Sequence, residues 1–148
     1  MGSSTSPRRD SAFAVIVRRS RVLLVRSWDK DRWQLPGGGM KRREEPREAA
    51  GREVEEETGL RARILGLTGR YVRADGSVAV VFAARVAEGA EPFGPRNEIR
   101  EQRWVPHGKA LRLLSRRARR RLVEALASPA PWAEDRRGTR PGANRRPT

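Results

Sequence analysis

Residues 38–60 read GGMKRREEPREAAGREVEEETGL. A glycine-rich segment runs straight into a charged stretch that carries helix signals at both ends. Pro46 suits a first helical turn, where its missing N–H is not needed. Gly59 suits the C-terminal stop. Between them Ala49, Ala50 and Val54 recur at helical spacing and form a small core-facing stripe. Glu53, Glu56 and Glu57 stand three and four residues apart, so a helix carries all three on one face. Like charges so spaced repel, costing a few tenths of a kcal/mol per pair in an isolated helix. Glu55 adds a further charge, and only Arg47 and Arg52 oppose them.

That face has two readings. One is an ordinary solvated acidic surface, and on the carboxylates alone this reading leads. The other is a site for divalent cations, whose hard-oxygen preference suits Mg²⁺ or Mn²⁺. The surroundings favour the second. Gly37, Gly38 and Gly39 precede the helix, and glycines allow close approach of backbone to a ligand. The chain's formal net charge is +15, so acidity concentrated here is locally anomalous. A metal-bridged polyphosphate accounts for both features.

Around this unit the chain reads as a mixed α/β domain. Ala12 to Val17 and Val22 to Arg26 are β-rich runs about a polar hairpin, Arg18 to Arg21. Asp29 to Arg32 is a loop. Trp33-Gln34-Leu35 is a short strand stopped by Pro36 and the glycines. Ala62 to Val72 and Ser77 to Val86 flank Asp75-Gly76, a hairpin turn signal. Glu98 to Val105 is a further strand. Lys109 to Ala127 forms one or two helices with Leu111, Leu114, Leu122 and Leu126 as core candidates. Helices packing on a sheet are expected from this order. The expected divisions are a disordered segment over residues 1–10, a domain over 11–127 and a flexible basic tail over 128–148.

Here the residues resemble a known family. Gly38, Glu44, then Arg52-Glu53-Val54-Glu55-Glu56-Glu57-Thr58-Gly59-Leu60 fill every defined position of the Nudix signature. Leu35-Pro36-Gly37-Gly38 and Arg103-Trp104-Val105-Pro106 extend the likeness. The resemblance implies an α/β/α sandwich with a mixed sheet between helices, and a MutT-like hydrolase of phosphoanhydrides. It makes Glu53, Glu56 and Glu57 the metal ligands for Mg²⁺, with Mn²⁺ as substitute. Arg52 would pair with a box carboxylate, Glu44 would brace the loop against the helix or reach metal through water, and Gly37, Gly38 and Gly39 would shape the substrate loop. One departure is Arg43, where many members have glycine.

In this family the general base comes from the box or a later loop. Glu98 is the outside candidate, against an ordinary surface role. Glu57 is the alternative and Glu101 a weaker one. His107, the only histidine, reads as structural, since one histidine makes neither a triad nor a metal cluster. Trp28, Trp33, Tyr71 and Phe82 are able to stack on a base, but strand aromatics more often fill core, as Trp104 is expected to do.

The box defines the chemistry but not the group attached to the diphosphate. The resemblance supplies a marker here: the family's ADP-ribose hydrolases tend to carry a proline at a fixed place after the box, and this chain has none between Pro46 and Pro92, so that reading loses weight. The dinucleoside polyphosphate hydrolases of the family tend to carry a tyrosine at a fixed place after the box; Tyr71, the only tyrosine, lies nearer the box, so this reading loses weight without being excluded. A nucleoside triphosphate pyrophosphohydrolase is the default. The alternatives are trimming of RNA 5′ ends and a non-catalytic nucleotide sensor. The RNA reading rests on the arginines between Arg112 and Arg121 and on the basic tail. Arg-rich composition alone also fits a solvated surface. The 148 residues contain no cysteine, so thiolate chemistry is excluded and a cytoplasmic setting is compatible. The longest apolar run, Val78 to Ala84, is far below the ~20 residues of a membrane span.

Overall fold

A computed structural model describes residues 9–138. The elements are β1 (Ser11–Arg18), β2 (Arg21–Ser27), β3 (Trp33–Gln34), β4 (Gly37–Gly39), α1 (Pro46–Thr58), β5 (Arg63–Val72), β6 (Val78–Arg85), β7 (Ile99–Pro106), α2 (His107–Leu113), α3 (Arg116–Leu126) and α4 (Pro129–Gly138). Five strands run in the order β3-β2-β1-β6-β5, with β4 on β1 and β7 on β2. β1 and β6 are parallel and the other pairs antiparallel. The sheet is therefore mixed, as expected.

β1 shows why this sequence makes a sandwich. Successive side chains of a strand point to opposite faces, and here both faces are apolar. Ala12, Ala14 and Ile16 pack toward α1, joined by Val54, Ala49 and Ala50 of that helix. Val15 packs the other way, against Leu114, Leu122 and Ala125 beneath α2 and α3. β6 divides likewise, with Phe82 and Ala84 on one side and Val81 on the other. Leu122 is fully buried, a burial worth about 1.5–3 kcal/mol.

α1 forms as its local signals require. Pro46 opens it after Glu45, whose N–H donates to Glu48 at 2.9 Å. Gly59 closes it in the left-handed region at φ 79°, its N–H reaching the Glu55 carbonyl.

Two expectations are corrected. The glycines after Pro36 are not only a loop: Gly37–Gly39 pair antiparallel with Ser11–Phe13. The basic tail expected from residue 128 begins instead with α4, which packs on β5 and β6. Trp132 anchors it, donating its indole N–H to the Ala125 carbonyl at 3.0 Å beneath the Arg85 guanidinium. An indole with a satisfied N–H is a strong anchor for a short segment, and no hydrophobic periodicity announces it. Residues 1–8 and 139–148, where the remainder of the two expected flexible ends falls, lie outside the described residues. No helix among the described residues is long and apolar enough to cross a membrane.

Candidate active site

The acidic face of α1 opens on a cleft of about 410 Å³ floored by β4. Glu53, Glu56 and Glu57 line it together with Gly37, Gly38, Gly39, Arg52 and Glu98. The three helix carboxylates, the three glycines, Arg52 and the outside candidate Glu98 thus reach one cavity, which Glu44 and Glu101 do not line. Glu55 is exposed on the other side of the helix.

Arg52 organises the carboxylates. Its Nε and Nη2 donate to Glu44 at 2.7 and 2.9 Å, a bidentate fork. Nη1 donates to Glu53 and Glu56 at 3.3 and 3.2 Å, and Nη2 also to the Gly39 carbonyl at 3.0 Å. One guanidinium therefore ties the loop, the glycine strand and the helix together. Arg52 holds the Glu44 carboxyl down at about 2, and the Arg52 pKa is raised in return. Glu44 braces the loop against the helix in this arrangement.

Glu57 is the buried member, 7% exposed. It accepts the Gly37 N–H at 3.0 Å. Burial pushes its pKa well up, the Gly37 N–H opposes this, and the charges of Glu53 and Glu98 add to the rise. Burial likewise raises Glu53, against the pull of Arg52. A Cβ on Gly38 would lie 2.7 Å from Glu53 Oε2, so a larger residue there would push this carboxylate from its place. These buried, mutually repelling oxygens are the donor type that a hard divalent cation suits. As placed, they turn toward Arg52 and Gly37, and among the described residues no three acidic side chains converge into a ready ligand cage.

The residues that position Glu98 lie outside the signature. The last-turn carbonyls of α1 receive donors from the segment before β7. Arg96 and Asn97 both donate to the Glu56 carbonyl, at 3.2 and 2.7 Å, and Gln102 to that of Glu57 at 2.9 Å. Orphan carbonyls at a helix end need such partners. Asn97 takes a left-handed φ of 50°, and Glu98 follows it into the cleft. Asp29, which sequence reasoning placed only in a loop, also lines the cavity, held by Ser27 Oγ at 3.0 Å. Arg9, Lys30 and Lys41 supply cations along its wall.

Other candidates fall elsewhere. Glu101 is engaged by Arg26 at 2.6 Å and by Arg103 at 3.1 Å and does not line the cleft. His107 begins α2 with a buried Nε2 that has no partner, away from the carboxylates. Trp33 and Phe82 are buried, Trp28 is exposed, and Trp104 is half-buried under Arg18 at 4.1 Å. Arg43 takes a left-handed φ of 65°, which explains why glycine is common at this position. The arginine run is not one surface. Arg121 is buried while Arg112, Arg116, Arg117, Arg119 and Arg120 are exposed.

A family model for the NUDIX domain matches residues 7–126. The chain belongs to the Nudix family. A "MutT-like protein" of Streptomyces ambofaciens is 32% identical over 130 residues, covering 86% of this chain and 83% of the relative. Mouse "Diphosphoinositol polyphosphate phosphohydrolase 3-alpha" is 37% identical over 101 residues, covering 66% of this chain and 62% of the relative. The solved structure of a UDP-X diphosphatase overlays with a TM-score of 0.67 at 21% identity, covering 84% of this chain and 65% of that one. This last likeness concerns the fold. The Nudix chain is thus an enzyme of the class that hydrolyses phosphorus-containing anhydrides, a class that generally uses divalent metal ions.

Proposed function

We propose that this Nudix enzyme cleaves, with Mg²⁺, the phosphoanhydride bond of a nucleoside diphosphate linked to another group, and that a (deoxy)nucleoside triphosphate is such a substrate. The observation that carries the reading is the convergence of Glu53, Glu56, Glu57 and Glu98 on one cleft walled by Gly37–Gly39.

Glu53, Glu56 and Glu57 are the residues that would hold the metal, with Mn²⁺ an acceptable substitute. A bound cation of this kind neutralises phosphate oxygens and lowers the pKa of a bound water. The protein's own groups do the rest. Arg52 keeps Glu53 and Glu56 on the cleft side of α1. Lys30, Lys41 and Arg9 draw the polyphosphate in and balance its charge. Glu98, carried on the turn that Asn97 shapes, is the proposed base that removes a proton from the attacking water, with Glu57 the alternative.

The test is product analysis with and without Mg²⁺, by mass, over a panel of nucleoside triphosphates and nucleoside diphosphates bearing varied groups. Metal-dependent release of a nucleoside monophosphate is expected, abolished in Glu56→Gln and Glu57→Gln. Normal turnover by both variants would sink the reading.

A further inference from the structure

A second cleft, of about 680 Å³, adjoins the acidic one and shares Lys30 and Gln34 with it. Its wall has the opposite charge. Arg32, Arg73, Arg117 and Arg121 line it, and a contiguous depression adds Arg116 and Arg120. Among the described lining residues Asp31 is the only acid, and Arg26 faces it at 3.5 Å. The α3 N-terminus opens here as well: Ser115 caps it, accepting from the Ala118 N–H, and its first turn holds no acid.

Arg121 is the telling residue. It is 7% exposed, and its Nε has no hydrogen-bond partner. Burying an incompletely paired cation is costly unless something opposes its charge. Burial, then the neighbouring Arg73 and Arg117, lower its pKa. Two core-side rings, Phe13 and Tyr71, lie beneath the guanidinium, but no carboxylate lining the cleft opposes its charge.

The aromatic rings here already carry guanidinium groups. Arg121 lies over Phe13 at 5.5 Å and over Tyr71 at 5.0 Å. Trp33 has Arg26 and Arg103 over its ring at 5.0 and 5.4 Å. A group entering the cleft therefore meets guanidinium forks, which match phosphate geometry.

We propose that this cleft receives a second phosphate of the substrate, carried on the moiety remote from the anhydride that is cleaved. The proposal rests on the hydrolase reading for the word substrate, and on the cleft alone for the anion site. The phosphate comes either from a small nucleotide that is phosphorylated again on its sugar or from the next linkage of a 5′-triphosphorylated RNA.

Two measurements test it. The first is calorimetric binding of inositol hexakisphosphate to the full chain in EDTA, which needs no hydrolysis. Arg32→Gln/Arg117→Gln changes two exposed residues and should weaken binding at least about tenfold, as expected for charge-assisted phosphate contacts. Arg61→Gln/Arg119→Gln removes the same charge outside the cleft and should change it less than about twofold, the size of a screened, long-range effect. Equal losses in the two double variants, or no loss in either, overturn the site.

The second measurement is kcat/KM with Mg²⁺ for GTP and for GTP carrying a 3′-diphosphate. Preference for the second by about tenfold or more, the worth of one good charged contact, should collapse in Arg32→Gln/Arg117→Gln. No preference in the wild-type protein, or one that survives the substitutions, overturns the assignment to the substrate. A 5′-triphosphorylated RNA run alongside identifies the polymer as the source if it outperforms the small nucleotide and depends on the same arginines. If no anhydride is hydrolysed at all, the hydrolase reading fails, while the calorimetry still decides the anion site.

Discussion

The carboxylate of Glu57 accepts the backbone N–H of Gly37 at 3.0 Å, across 20 positions of the chain. The bond fixes the buried carboxylate against the glycine strand and leaves it among Glu53 and Glu98. A buried, repelled carboxylate weakens the fold that holds it, so catalysis and stability pull in opposite directions at this residue. Glu57→Gln should melt in EDTA at or above the wild-type temperature, while Mg²⁺-dependent turnover is lost with this metal-holding carboxylate. Calorimetric melting beside a phosphate-release assay reads both; a marked drop in melting temperature with activity intact would contradict the argument.

The Arg52–Glu44 fork gives a pH signature. Arg52 lowers the Glu44 pKa from 4.5 to about 2 in the folded protein. The folded value lies below the unfolded one, so this stabilisation is complete above about 4.5 and is lost as pH falls from there toward 2. Arg52→Ala should flatten that acid limb in urea unfolding curves. Arg52→Lys keeps the charge but loses the fork, and should cost roughly 10–100-fold in activity, as when a group that orients metal ligands is lost. Wild-type activity in Arg52→Lys would remove the orienting role.

Arg43 sits at φ 65°, where an L side chain costs roughly 1–2 kcal/mol. Arg43→Gly relieves that strain but loosens the unfolded chain, so the net gain should be about 0.5–1 kcal/mol. Denaturant midpoints check it. A destabilised Arg43→Gly would mean that the side chain makes a compensating contact.

Asn97 caps the Glu56 carbonyl and turns the chain toward Glu98. Glu98→Gln should lower kcat by roughly 10²–10⁴ if it is the base. Asn97→Ala should lower kcat less and cost about 1–2 kcal/mol of stability, through the lost cap and a left-handed alanine. Unchanged kcat in Glu98→Gln removes it as the base and leaves Glu57 as the candidate.

Trp132 closes α4 over β5 and β6 through its bond to Ala125 and its stack with Arg85. Trp132→Ala should destabilise by about 3 kcal/mol, the lower end for a large aromatic, because the ring is half-buried. Truncation after Ser128 should do at least as much. A truncated protein as stable as the full chain would return this segment to a dispensable tail.

Much of this was open to reading along the chain, for a physical reason. The bounds of α1, its caps at Pro46 and Gly59, its acidic and apolar faces and the Asp75-Gly76 hairpin depend on dihedral preferences and on neighbours within four residues. Those are properties of the sequence by itself. The order of strands and helices likewise implied helices packed on a sheet. Long-range packing decided the rest. Only the pairing of β4 with β1 brings the Gly37 N–H to Glu57, only the capping of α1 by Asn97 and Gln102 carries Glu98 to the cleft, and only α3's docking turns Arg121 inward while Arg119 faces solvent. The same residue types, in the same run, acquired opposite surroundings because a helix face is assigned by what it packs against, and that information lies far away in the chain.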